Sequence, residues 1–331
     1  MVTVVELGRA PGKSMVAEPN VDALEINALG LFGDRQYMWV EAAKHINVNY
    51  RPGSVALPGQ FLSLREDPQL TDIIPTLGPN GVTMYSRSQR DSYPITRRED
   101  VAEHRIPVSV WGWHGKAVDQ GDEAATWGEQ MLGRPVRLVE LSNEEPRYVE
   151  DTEALGRVGF SDGYPLTVAS TASLDLINRE LAVADQLPIP LRRARANILL
   201  SGLVLPNRDS LPADVFPEDY IESIRVDTNG LVAVLRRLVA CERCPIPDIN
   251  HNTGERKGRP VLRALGRLGR QGTHLDELRY GAKPEIFWTQ NFVIELPQDM
   301  PPDGIIRIER GSQVEVIYSD KPNWVPLGEA A

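Results

Sequence analysis

Short apolar runs dominate the chain, and many alternate with polar residues in the two-residue period of a β-strand. These runs predict strands at residues 2–7, 36–40, 82–85, 108–111, 136–141, 166–169, 197–200, 231–239, 305–309 and 313–318. The last two flank Arg310-Gly311-Ser312 and are predicted to form a hairpin. The 27 glycines and 26 prolines are spread along the chain, which indicates turns between short elements.

Only three segments show the apolar spacing of an amphipathic helix. They are residues 122–132, which stop at Gly133, residues 173–181, which follow a Ser/Thr-rich start, and a shorter basic segment at 261–268. The strands do not alternate with helices as they would in a parallel βαβ series. We therefore predict a mainly β (α+β) protein with two β-rich, barrel-like halves and a few peripheral helices.

A polar segment at residues 142–159 separates the two halves and is the best candidate for a linker. A chain of 331 residues has room for about two domains. We predict a first domain at residues 1–142 and a second at residues 143–331.

The charge and the cysteine content exclude several classes of protein. A net charge of −10 argues against a general nucleic-acid binder, although it leaves room for a local basic pocket. No apolar run is long enough for a transmembrane helix, and residues 1–7 resemble a strand rather than a secretory signal or a membrane anchor. With only two cysteines and no export signal, we expect a cytoplasmic protein whose cysteines are free thiols.

The segment Cys241-Glu242-Arg243-Cys244-Pro245 is the most informative motif. Two cysteines at this spacing suit half a zinc site, a redox pair or a ligand for a soft metal. A zinc site lacks a second cysteine pair, and a redox pair would be expected at the start of a helix rather than at a strand end before proline. Two readings remain: a thiolate that holds a metal-bearing cofactor, favoured by Arg243 beside Cys244, or two ordinary buried thiols.

Three further motifs place cations next to strands. Gly8–Ser14 resembles a phosphate-binding P-loop, but it has one residue too few between its glycines, so we reject a nucleotide-hydrolysing loop. In Gly30–Arg35, Asp34 can orient the Arg35 guanidinium, and the arginines of Arg193-Ala194-Arg195-Ala196-Asn197 suit an anion clamp. Each motif also has a plainer reading, respectively a surface turn, a hairpin with an exposed ion pair and a solvated strand end. The scattered histidines form no hydrolase pattern.

Taken together and in this order, the motifs resemble the MOSC family with its N-terminal β-barrel partner domain, a family whose members include amidoxime-reducing enzymes. The resemblance spans nearly the whole chain. It rests on Gly12-Lys13-Ser14, Gly30-Leu31-x-Gly33-Asp34-Arg35, Asp119-x-Gly121-Asp122 with Trp127, Phe160-Ser161-Asp162-Gly163-Tyr164-Pro165, Ala172-Ser173-Leu174 with Asn178, Arg193-x-Arg195-x-Asn197, and Cys241-x-Arg243-Cys244 followed by Thr253-Gly254.

This resemblance implies a molybdenum cofactor (Mo-molybdopterin), which is a pterin with a dithiolene and a phosphate. It implies that Cys244 ligates the molybdenum and is the catalytic residue. The cofactor-binding residues that it implies are Lys13, Ser14, Arg35, Asp162, Gly163, Tyr164, Arg195, Asn197, Glu242, Arg243 and Asn291. Pyridoxal phosphate binding, a term that accompanies the family, is a further expectation.

The resemblance also implies a function. We expect an oxidoreductase that removes oxygen from small N-hydroxylated substrates, such as amidoximes or hydroxylamines. No further cysteines are available for an iron–sulfur centre in this sequence. The electrons are therefore expected from a separate carrier of the ferredoxin, flavodoxin or cytochrome b5 type. The alternatives are a persulfide carrier in cofactor sulfuration and a cofactor-binding MOSC protein without activity.

Overall fold

The computed structural model describes residues 1–18, 21–42, 59–79, 81–205, 215–274 and 283–327. Within these ranges the chain forms nineteen strands and three α-helices. The strands are β1 (Val2–Leu7), β2 (Ala23–Asn27), β3 (Gly30–Leu31), β4 (Tyr37–Glu41), β5 (Ile73–Gly78), β6 (Gly81–Ser86), β7 (Asp91–Pro94), β8 (Arg105–Val110), β9 (Trp113–Asp119), β10 (Val136–Leu141), β11 (Leu166–Ser170), β12 (Ile198–Ser201), β13 (Ile221–Thr228), β14 (Leu231–Glu242), β15 (Gln271–His274), β16 (Glu285–Glu295), β17 (Ile306–Glu309), β18 (Gln313–Tyr318) and β19 (Trp324–Pro326). The helices are α1 (Asp122–Leu132), α2 (Thr171–Val183) and α3 (Pro260–Arg267).

Seven strands close into a barrel in the order β11-β12-β1-β18-β13-β14-β16, and β16 pairs back with β11. Alternate side chains of these strands point inward, as the pleat requires, and they form one apolar core that includes Val4, Leu166, Leu235 and Phe292. The short strands β15 and β19 extend this sheet beyond β16. Because β1 belongs to this barrel, the first residues of the chain pair with strands of its second half.

A half-barrel of four strands, in the order β4-β10-β9-β8, lies beside the closed barrel. Its core is aromatic, and the Trp39 ring stacks on Trp127 of α1 with 6.3 Å between the ring centroids. Two small sheets, β17-β2-β3 and β5-β6-β7, complete the β-structure of the described residues. This arrangement confirms the prediction of a mainly β protein with two barrel-like halves.

The three α-helices lie outside the sheets, as predicted. Helix α2 begins where the Ser170 hydroxyl accepts a hydrogen bond from the Ser173 amide at 3.0 Å, and it packs against α3. Helix α1 ends at Gly133, whose φ of 67° suits glycine. Among the described residues, no helix has the length and apolar character needed to cross a membrane.

The predicted hairpin near the C-terminus is wrong. Both strands exist, but β17 pairs with β2, whereas β18 pairs with β1 and β13. Strands β1 and β13 therefore occupy both edges of β18, and β17, which precedes it in sequence, joins another sheet.

The predicted linker at residues 142–159 is packed against the rest of the protein. The side chains of Ser142 and Arg147 are buried, and Val149 and Val158 pack against Val293 of β16. The domain boundary after residue 142 stays a prediction.

Candidate cofactor site

A cavity of about 840 Å³ opens between the closed barrel and the half-barrel. Its wall is formed by loops at the ends of strands. The turns after β1, before β4, before β11 and before β12 meet the end of β14 at this cavity. All twelve predicted site residues line this cavity: Lys13, Ser14, Arg35, Asp162, Gly163, Tyr164, Arg195, Asn197, Glu242, Arg243, Cys244 and Asn291. Residues far apart in sequence are thus collected in one place, and the volume suits a small-molecule ligand.

Lys13 is buried at the floor of this cavity. It is 5% exposed, and its Nζ lies 4.5 Å from the centre of the Phe61 ring. The ammonium donates a hydrogen bond to Asp162 Oδ1 at 2.6 Å. Burial, together with repulsion from Arg147 and Arg195, lowers the pKa of Lys13 to about 8 against the attraction of Asp162. Lys13 is therefore a buried cation that faces a ligand site, and the plainer reading of a surface turn does not describe it.

Asp162 connects Lys13 to two residues that the sequence did not single out for the site. Its Oδ2 accepts a hydrogen bond from Arg65 Nη2 at 3.0 Å, and the Arg65 guanidinium lies 4.4 Å from the centre of the Trp111 ring. Burial alone would raise the pKa of Asp162, but Lys13, Trp111 and Arg65 together hold it below its usual value. The carboxylate is therefore ionised at neutral pH and fixes two cations at the cavity.

Arg35 and Arg195 form a second pair of cations. Asp34 binds Arg35 in a buried ion pair and also accepts a hydrogen bond from the Ala10 amide at 2.8 Å. Arg35 Nη2 donates to the Arg195 carbonyl at 2.9 Å, and Arg195 Nη1 donates to the Met15 carbonyl at 2.6 Å. Burial, followed by repulsion from Arg35, lowers the pKa of Arg195 to about 10. Two arginines are thus held close together, which an anionic ligand would stabilise.

Several lining residues have a left-handed backbone, which is uncommon outside glycine. The φ angles are 62° at Ser14, 48° at Arg35, 52° at Trp111 and 55° at Arg195. Thr289, which accepts a hydrogen bond from Arg243 at 3.4 Å, has a φ of 73° although it is β-branched. Strained backbone that collects around one cavity is typical of a functional site.

The two cysteines differ in their surroundings. Both are free thiols that line the cavity, and Cys244 also packs against the apolar core of the half-barrel. Arg243 Nη1 donates to Cys241 Sγ at 3.0 Å, so Cys241 is the thiol that Arg243 contacts. In an extended chain, residues two apart share a face, which places Arg243 on the side of Cys241. That Arg243 favours the Cys244 thiolate stays a prediction, and the charge of Cys244 acts to raise the pKa of Arg195.

The remaining predicted residues have protein partners. The Asn197 amide donates to the Gly8 carbonyl at 3.1 Å and accepts from the Thr167 amide at 3.1 Å, so it joins β1 to β11. Asn291 Oδ1 accepts from the Thr167 hydroxyl at 3.2 Å. The Tyr164 hydroxyl donates to Glu150 at 3.0 Å. These three residues therefore shape the wall of the cavity.

Gly163 and Glu242 complete the set of predicted residues in the cavity wall. Gly163 has open space around its Cα, which leaves room for a ligand. Glu242 lies 3.0 Å from the buried His274 ring.

Sequence reasoning missed Arg65, Trp111, Arg147, His274 and Asn323 as cavity neighbours. Arg147 is buried and donates to the carbonyls of residues 159, 161 and 162, so it holds the loop that carries the Asp162 carboxylate. Trp111 was predicted only as the end of a strand, and Arg147 only as part of a linker. No local motif marks them, because tertiary packing alone brings them to the cavity.

The chemistry of this wall fits a pterin-borne metal. No cluster of three or more His, Cys, Asp or Glu side chains suited to a metal exists in the described part of the chain, so a metal here would bring most of its ligands with it. A thiol on the cavity wall suits a soft metal, and the five cations that line the cavity suit a phosphate and an anionic dithiolene.

The two halves of the chain match two domain families. The MOSC N-terminal beta barrel domain matches residues 1–135, and the MOSC domain matches residues 156–286. The chain is thus a MOSC-domain protein that carries the MOSC N-terminal β-barrel domain.

Its curated relatives include mitochondrial amidoxime-reducing component 1 of Homo sapiens, which is 26% identical over 304 residues, or 89% of this chain and 79% of that protein. The Mus musculus protein of the same name is 26% identical over 76% of this chain and 67% of that protein. The molybdenum cofactor sulfurase of Oryza sativa subsp. japonica is 22% identical over 60% of this chain, but this match spans only 24% of that protein. These similarities place the chain among molybdenum-cofactor-related MOSC proteins and support an enzymatic role.

Proposed function

We propose that the protein is a molybdenum-cofactor-dependent reductase of small N-hydroxylated compounds that receives electrons from a separate carrier protein. The observation that carries this proposal is the convergence of twelve motif residues, from segments throughout the sequence, on one cavity. The names of the amidoxime-reducing relatives support the same reaction class.

The proposed roles follow from the chemistry of each side chain. Cys244 would hold the metal through its thiolate. Lys13, Arg35 and Arg195 would bind the phosphate and the other anionic groups of the cofactor. Asp34 and Asp162 orient these cations through the ion pairs described above. When bound, the cofactor supplies the two-electron chemistry.

The net reaction consumes two electrons and two protons. The N–O bond of the substrate breaks. One proton joins the hydroxyl group, which leaves as water, and the other proton binds the nitrogen in its place. The chain contributes a cavity that is polar on the Lys13–Asp162 side and aromatic at Trp111. At pH 7 Lys13 is protonated, since its pKa of about 8 lies above that pH, and its proton stays directed at Asp162.

Metal analysis of two cysteine variants tests the proposal. The protein is expressed with molybdenum cofactor available, and molybdenum and pterin are measured in wild type, Cys244→Ala and Cys241→Ala. We expect Cys244→Ala to lose most of the molybdenum and all amidoxime reduction. Cys241→Ala is the matched control and should retain most of the metal, because Arg243 holds that thiol and the proposal gives it no ligand role. Equal molybdenum in both variants, or none in wild type, would contradict the assignment.

A second candidate is a sulfur carrier in cofactor handling. It is favoured by the Arg243 guanidinium at 3.0 Å from Cys241 Sγ, because a cation stabilises a thiolate or a persulfide anion. The name of the rice relative, a molybdenum cofactor sulfurase, agrees with this candidate. Intact-mass spectrometry after incubation with a sulfur donor would show an added sulfur atom that Cys241→Ala abolishes. Catalytic turnover without such an adduct would exclude this candidate.

The location of the protein in the cell and the identity of its electron donor are part of the same proposal. A cytoplasmic location and a ferredoxin, flavodoxin or cytochrome b5 type of donor stay predictions. Pyridoxal phosphate binding also stays a prediction of the resemblance.

A further inference from the structure

A group of exposed cations covers one face of this acidic protein. Its members, which we name the basic surface, are Arg192, Arg256, Lys257, Arg259 and Arg263. The chain as a whole has a net charge of −10, so five exposed cations on one face contrast with the rest of the molecule. Such a local field attracts partners of opposite charge.

Contacts within the described residues link the neighbouring segments that carry these cations. Arg192 Nη2 lies 3.3 Å from Asn252 Oδ1, and the backbone of Arg256 pairs with Ile249 a few residues earlier. Arg192 and Lys257 line the same cavity of about 470 Å³. The Arg263 amide donates to the Arg259 carbonyl at 3.0 Å, which places these two side chains one helical turn apart at the start of α3.

Arg192, a member of the basic surface, belongs to a segment that continues into the lining of the candidate cofactor site. Arg192 lies just before Ala194 and Arg195, which are part of that lining. Arg193 Nε donates to the Pro247 carbonyl at 2.7 Å, and the chain reaches Pro247 only three residues after Cys244. A protein bound at Arg192 would therefore lie against a segment that is hydrogen-bonded to the residues following Cys244.

These cations are largely unused inside the protein. Within the described ranges, Arg192, Arg256, Arg259 and Arg263 form no ion pair, and Lys257 pairs with Glu255 at 3.3 Å where both side chains are exposed. An exposed pair of this kind contributes little to stability. The charges of the basic surface are thus available to a partner, and nothing in the fold requires them there.

We propose that the basic surface docks an acidic electron-transfer protein, which delivers electrons to the cofactor site through the 192–195 and 244–247 segments. This inference rests on the proposed function, and it names the surface and the charge of the donor. Opposite charges would guide the encounter and make it sensitive to salt. A nucleic acid is the less suitable occupant, because the rest of the molecule is acidic and the patch borders a redox site.

Charge reversal tests the docking surface directly. The variants are Arg192→Glu and the double change Arg259→Glu with Arg263→Glu. The matched control is Arg225→Glu, an exposed arginine of β13 that pairs with Glu315. Arg225 pairs with Val234 of β14, which precedes Cys244 by ten residues. This separation corresponds to ~30 Å along an extended strand, so the control lies far from Cys244. The probes are a plant-type ferredoxin, a flavodoxin and the soluble domain of cytochrome b5, measured by surface plasmon resonance at low and at near-physiological ionic strength.

We expect at least one carrier to bind wild type in a salt-sensitive way. The double variant should bind it roughly tenfold more weakly, chiefly through a slower association rate, and Arg225→Glu should bind normally. Turnover driven by that carrier should fall in parallel, whereas turnover driven by a small chemical reductant such as reduced methyl viologen should be unchanged.

Three results would overturn the docking surface: no binding by any of the three carriers, equal weakening by Arg225→Glu, or loss of affinity for a single-stranded RNA instead of for the carriers. The proposed reductase function fails separately. In that case the loaded wild type would reduce no N-hydroxylated compound even with the chemical reductant, while the binding measurements would still decide the docking surface.

Discussion

Replacing Lys13 with methionine should stabilise the cofactor-free protein and at the same time impair its capacity to hold the cofactor. Methionine has a similar length and is apolar, so it suits a side chain that is 5% exposed above the Phe61 ring. Asp162 keeps Arg65 as a partner at 3.0 Å after the change. The substitution thus removes a buried charge without leaving a carboxylate unpaired.

The expected magnitude follows from the pKa of Lys13. Burial lowers this pKa from 10.5 to about 8. Each pKa unit corresponds to ~1.4 kcal/mol, so protonated Lys13 destabilises the folded state by about 3 kcal/mol at pH 7. Because the unfolded chain holds the proton more tightly, this penalty is complete below the folded-state pKa of about 8. It disappears as the pH rises past the unfolded value of 10.5.

Urea unfolding of the cofactor-free protein at two pH values tests this reasoning. We expect Lys13→Met to be about 2–3 kcal/mol more stable than wild type at pH ~7, and the difference to fall to about 1 kcal/mol or less at pH ~10. The control is Lys116→Met, whose side chain is 55% exposed and which should change stability by no more than about 0.5 kcal/mol. A variant that is less stable at neutral pH, or a difference that is independent of pH, would refute the argument.

Two further substitutions test the scaffold of the site. Gly159→Ala should lower the cofactor content and cost about 1–3 kcal/mol in urea unfolding, because its new methyl would lie 2.8 Å from the Asp34 carbonyl oxygen. Gly266→Ala, whose new methyl meets no neighbouring atom and which lies outside the cavity lining, is the control, and equal effects of both changes would contradict this account. Asp219→Asn should destabilise the protein by about 3–5 kcal/mol in the same assay, since Arg270, which is 5% exposed and bound to Asp219 through two nitrogens, would lose its counter-charge. A loss below about 1 kcal/mol would contradict that role.

The secondary structure of the described residues could largely be predicted from the sequence, because strands and helices impose their own periods on it. The alternation of the strand predicted at residues 313–318 is the burial pattern of β18. The pairing of strands could not be predicted in the same way. Strand β17 joins β2, almost three hundred residues earlier, and nothing in the turn at residues 310–312 shows that its two flanking strands go to different sheets.

The residues of the candidate site also fall into those that the sequence could predict and those that it could not. Lys13, Arg35 and Arg195 could be predicted because each stands in a motif beside a strand end, and the fold brings those ends together. Arg65 and Trp111 could not, since they reach Asp162 only through the packing of the half-barrel.

The position of Arg243 shows that side-chain partners are hard to predict even between adjacent residues. Adjacency in sequence suggested Cys244 as its partner, whereas the alternation of an extended chain directs it to Cys241. Sequence distance is thus a poor measure of which two side chains meet, even between neighbours.

Taken by itself, the cavity wall makes the fold less stable, and this is an argument for its function. Lys13 is held as a buried ammonium, and Arg35 and Arg195 lie close enough that each charge disfavours the other. Ser14, Arg35 and Arg195 also adopt left-handed backbone, at a cost of ~1 kcal/mol or more each. Folding alone favours apolar side chains and relaxed backbone at such positions. A polyanionic ligand that binds there would offset both the cost of the buried charges and their repulsion, so the cavity is organised in advance for the charge that it is proposed to hold.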